Sequence, residues 1–73
     1  MNAREMFEEL GYEKHIDDKF EITYVNKNFI LTISKQMDAY NHALRNNINT
    51  YCGIPFELHQ AIHQQMKELG WIE

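Results

Sequence analysis

The sequence predicts an α+β domain, a small antiparallel sheet of three to four strands with an N-terminal and a C-terminal helix packed on it. Three observations predict it. Leu58, Ala61, Ile62, Gln65, Met66 and Leu69 recur at helical spacing along one stripe, with Gln65 as the only polar intrusion. Ala3, Met6, Phe7 and Leu10 form a second such stripe near the start of the chain. Between them, Phe20, Ile22 and Tyr24, then Phe29, Leu31 and Ile33, alternate with their neighbours at the period of half-buried strands. The 73 residues make one domain, 1–73, close to the lower size at which packing alone sustains a core.

Asn2 suits the N-cap of the first helix, and Glu5 three residues on completes a capping box. Glu5, Glu8 and Glu9 face water, and acids at this end complement the helix dipole. Gly11 supplies the left-handed residue that ends the helix, with Tyr12 set to cover Phe7. Residues 12–16 read as a short strand, and Asp17-Asp18-Lys19 as a solvated turn after it rather than a catalytic carboxylate pair. The alternating runs form a hairpin bent at Asn26-Lys27, which pairs Tyr24 with Phe29, Ile22 with Leu31 and Phe20 with Ile33. A three-residue loop would set apolar residues opposite polar ones. The opposite face carries Glu21, Thr23 and Thr32, with Val25 and Ile30 as apolar exceptions.

Residues 35–47 fit two readings. Met37, Tyr40 and Leu44 have helical spacing, whereas a sheet that carries two helices needs a further strand around 37–43. The strand is the reading adopted here. Asn46-Asn47 breaks it, and 48–51 is a loop or a short edge strand. Pro55 lies in the first turn of the last helix, where its missing N–H costs nothing. Gly70 and Trp71 then close that helix over Met66, repeating the device of Gly11 and Tyr12.

The formal charge of −4 lies wholly in the first third of the chain. Residues 1–21 hold Glu5, Glu8, Glu9, Glu13, Asp17, Asp18 and Glu21 against Arg4, Lys14 and Lys19, while the remainder is balanced. Basic residues are scattered singly, which argues against direct nucleic-acid binding. A lone Cys52 makes no internal disulfide and suits a reducing compartment. No apolar run approaches the length of a membrane span, and the N-terminus does not have the pattern of a signal peptide. The expectation is a cytoplasmic protein that does not engage a membrane.

Ala3 through Tyr12, followed by a short β region, then Glu57 through Ile62 and Gln65 through Trp71, resembles small uncharacterised proteins of prophages and mobile elements of Gram-positive bacteria. The likeness covers both helices and, loosely, the hairpin, but not 35–53. It implies an antiparallel sheet with a terminal helix on each side. It carries no catalytic or binding residue, because the shared positions are caps and core.

Two function classes follow. The first is a non-catalytic protein–protein interaction module without a cofactor, acting on a protein partner or by forming a homodimer through the sheet face that shows Val25 and Ile30. Its sharper form is an acidic surface of Glu5, Glu8, Glu9 and Glu13, which would inhibit a host nucleic-acid-handling or defence protein. The second is a small metal-binding protein or enzyme. His59 and His63 stand four apart on one helix, with Cys52 or His42 to complete a site, although the glutamate of an HExxH helix is missing.

Overall fold

The computed structural model describes residues 1–72. The chain runs α1 (Ala3–Glu9), β1 (Glu13–Asp17), β2 (Glu21–Val25), β3 (Phe29–Ser34), β4 (Ala39–Leu44), β5 (Asn47–Tyr51) and α2 (Phe56–Glu68). The strands form one antiparallel sheet in the order β1-β2-β3-β4-β5, four hairpins in succession. The α+β class and the two helices stand as read, but the sheet has five strands rather than three to four. Every residue of β1 and of β5 is exposed, so neither edge carries the burial alternation that marks the inner strands.

Both helix ends take the geometry their residues encode. Asn2 and Glu5 exchange the two bonds of the capping box, at 2.9 and 3.1 Å. Gly11 sits at φ 86°, so that the Tyr12 N–H reaches the Phe7 carbonyl (2.9 Å) and the Tyr12 ring meets the Phe7 ring edge-on, 6.2 Å between centroids. Gly70, at φ 73°, repeats the arrangement, with the Trp71 N–H on the Met66 carbonyl at 2.9 Å. Pro55 is the N-cap of α2 rather than part of its first turn, and no side chain caps that end. Leu69, the last position of the apolar stripe, is the C-cap and remains 36% exposed.

Hairpin turns begin with side chains that accept backbone N–H groups. Asp18 Oδ1 accepts from Phe20 and Glu21, Asn26 Oδ1 from Asn28 and Phe29, and Ser34 Oγ from Met37. Asn26 thus takes the first position of its turn, and the bend centres on Lys27-Asn28 instead of Asn26-Lys27. Neither central residue has a positive φ. The ladder is displaced by two residues, pairing Ile22 with Ile33 and Tyr24 with Leu31. A two-residue slip leaves every side chain on its expected face, which is why alternation does not detect it. Phe20, expected on the buried face, lies in the Asp18 turn and is 51% exposed. The strand expected near 37–43 is β4, set slightly later because Met37 falls in the turn before it.

The core joins Ile22, Tyr24, Leu31 and Ile33 of the sheet to Ala3 and Phe7 of α1 and to Leu58, Ala61 and Ile62 of α2. Phe7 stacks on Tyr24 with centroids 3.7 Å apart. Both helices lie on this one face and touch each other, rather than flanking the sheet. Glu68 ties them together, since its Oε2 accepts from the Ala3 N–H at 2.8 Å. Gln65 is buried and accepts a hydrogen bond from the Tyr24 hydroxyl, so the polar intrusion on the stripe has its partner. The opposite face carries Thr23, Val25, Ile30 and Thr32, with Ala43 beside them. Thr23, Val25 and Ala43 are buried and Ile30 half-buried, however, so this face does not show Val25 as the homodimer expectation had it. No helix among the described residues is long and apolar enough to cross a membrane.

Candidate functional site

The acidic residues singled out in the sequence are divided among local tasks. Glu5 closes the capping box, and Glu8 faces Arg4 at 3.7 Å across one helical turn. Asp17 bonds Lys14 at 3.1 Å, and Asp18 holds the turn into β2. Both ion pairs are exposed and contribute little to stability. Glu9 is exposed on α1 and Glu13 on β1, and these two carboxylates enter no ion pair or hydrogen bond among the described residues. Glu8 and Glu13 share a cleft, but Arg4 and Lys14 line it with them.

The histidines and the cysteine separate into two places. His42, 4% exposed, is held between two partners. Its Nδ1 lies 2.9 Å from the Gly53 carbonyl, an acceptor only, so this nitrogen carries a proton; in the neutral ring Nε2 then accepts from the Tyr12 hydroxyl at 2.8 Å. Burial pushes the Tyr12 phenol above its ordinary pKa, and the charge of a Cys52 thiolate would raise it further. Cys52 itself is half-buried, its N–H on the His42 carbonyl (2.7 Å) and its Sγ near the Thr50 carbonyl. On the other side, His59 Nδ1 lies 3.4 Å from the Tyr40 hydroxyl, and both His59 and His63 are exposed. Among the described residues no three His, Cys, Asp or Glu side chains are placed to hold a metal ion. His42 therefore acts as a structural clamp between the start of β1 and the segment after β5.

Two features emerge that the residue patterns did not single out. The first is the β5 edge. β5 pairs with β4 alone, and Ile48, Tyr51 and Phe56 stand 64%, 70% and 86% exposed along it and into the first turn of α2. No charged residue occurs from 46 to 56, and that gap was the available signal. The second is at one end of the sheet, where β3–β4 pairing brings Lys27 and Arg45 to the same cleft. Their spacing in the sequence offered no sign of it. Comparison of the chain with protein-family models, with curated proteins and with solved structures gives no match.

Proposed function

We propose that this protein is a non-catalytic protein–protein interaction module of a phage or other mobile element, and that it meets its partner along the β5 edge. One observation carries the reading: β5 is exposed over its full length, bears no charge, and presents Ile48 and Tyr51 to water, with Phe56 just beyond. Natural edge strands are ordinarily blocked by charge, proline or a bulge. β5 shifts register against β4 between Ala43 and Leu44 but carries neither charge nor proline, which supports it as a template for another chain. The mobile-element origin rests only on the resemblance read from the residues of the two helices. For a basic partner, Glu9 and Glu13 are the two of Glu5, Glu8, Glu9 and Glu13 left without a side-chain partner among the described residues.

The test is the pair Ile48→Lys and Phe56→Glu. Both positions are solvent-exposed, so stability is expected to change by less than about 0.5 kcal/mol. Concentration-dependent self-association in sedimentation velocity, or capture of a host protein by the tagged chain, is expected to disappear in the double variant. Identical sedimentation and identical capture for both proteins would overturn the reading.

A further inference from the structure

A cleft of about 640 Å³ opens between the β2–β3 and β4–β5 turns, lined by Lys27, Asn28, Phe29, Leu44, Arg45 and Asn46. Phe29 and Leu44 are directly opposed on neighbouring strands, half-buried, and make an apolar floor. The two cations and two carboxamides form the rim. Arg45 is held in place twice, by its backbone N–H on the Asn28 carbonyl (2.8 Å) and by Nη1 on the Asn26 carbonyl (3.0 Å). That leaves the other guanidinium N–H groups free to donate. No carboxylate lines this cleft, and the ion pairs among the described residues are Arg4–Glu8 and Lys14–Asp17. Glu13 lines an adjoining cleft together with Lys27 and Arg45, and Glu57 lines another with Phe29. In a chain of net charge −4, two cations with no acid partner above an apolar floor mark a place for an anion with an apolar neighbour.

We propose that this cleft binds an acidic–apolar segment of a partner protein. A carboxylate side chain would sit on Arg45 and Lys27, and the adjacent apolar side chain on Phe29 and Leu44. The overall charge opposes the many phosphates of a nucleic acid more than a segment with one or two carboxylates. Leu44 beside Phe29 suits an aliphatic side chain, so the charge and the floor favour a protein segment. This inference rests on the interaction-module reading for its choice of a protein as the occupant.

The experiment is an amide NMR titration of the full chain with a capped tetrapeptide of alternating glutamate and leucine. The glutamine–leucine analogue and oligothymidylate serve as comparison ligands. Saturable shifts are expected at Asn28, Phe29, Arg45 and Asn46, with affinity falling about tenfold or more in Arg45→Gln, in Lys27→Gln and for the glutamine peptide. Lys27→Gln, at an exposed turn position, carries the test if Arg45→Gln does not fold. Absence of saturation, equal binding of the glutamine peptide, or tighter binding of oligothymidylate would overturn the proposal. If the titration fails while Ile48→Lys with Phe56→Glu still abolishes association, the cleft assignment falls and the module reading stands.

Discussion

β1 and β5 are both five-residue edge strands, exposed along their whole length and paired irregularly with their neighbours, yet they are built from different residues. β1 carries Glu13, Lys14, His15 and Asp17, and His15 is the extra residue of a bulge against β2. β5 is Asn-Ile-Asn-Thr-Tyr, without a charge, and its own pairing with β4 shifts by three residues between Ala43, opposite Tyr51, and Leu44, opposite Asn47. Charges and bulges discourage another chain from adding to a sheet, because pairing would desolvate them or set like charges side by side. Because both edges are irregular, charge is what distinguishes them, and it supports the proposal that β5 rather than β1 receives another chain. Both edges are tied to one side chain, since His42 bonds Tyr12 just before β1 and Gly53 just after β5.

The largest expected effect breaks that shared tie. His42→Leu leaves the Tyr12 hydroxyl and the Gly53 carbonyl without their partner and is expected to cost about 2–3 kcal/mol in urea unfolding. Hydrogen exchange should rise first in the segment after β5, where Gly53 is released. Unchanged protection there would separate β5 from the clamp.

A second effect falls on the β1 side. Burial, with Asp17 and Glu68 adding to it, pushes the Tyr24 phenol up from 10.0 to about 12. The native state then holds a proton that the unfolded chain releases. Its contribution to stability is complete below pH 10 and is lost as pH rises through 10 to about 12. Urea midpoints should fall across that window, in step with tyrosinate absorbance. Tyr24→Phe should flatten the fall while costing about 1 kcal/mol at neutral pH through the lost bond to Gln65. An equal alkaline fall in Tyr24→Phe would remove the phenol as its cause.

The smallest change in stability belongs to the sharpest form of the comparison. Lys14→Thr with Asp17→Thr deletes an exposed ion pair and is expected to shift unfolding by less than about 1 kcal/mol. It makes β1 resemble β5, so self-association in sedimentation should increase. No increase would show that this charge pair is not what closes that edge.

Much of this was legible in the sequence, and particular residues show where legibility ends. Alternation in 22–24 and 29–33 placed the right side chains on the right faces, yet the register differs by two because Asn26 bonds its own turn. Phe20 obeys the alternation but lies in a turn, since Asp18 accepts the Phe20 and Glu21 N–H groups and the strand begins only at Glu21. The acidic run of the first third reads as a patch, but three dimensions divide it among a cap, two ion pairs and a turn. His59 and His63 share a helix as spaced, while Cys52 and His42 belong to the clamp instead.

By itself, the sequence determined the α+β class, the capping box of Asn2 and Glu5, and the two matching endings at Gly11-Tyr12 and Gly70-Trp71. Each of these depends on groups within about five residues of one another, so the local chain carries the whole instruction. Only the tertiary structure decided that the sheet has five strands, that both helices share one face, that His42 joins Tyr12 to Gly53, and that Lys27 meets Arg45. Those outcomes depend on which strands pair and in what register, and on exposed edges that carry no hydrophobic pattern to read.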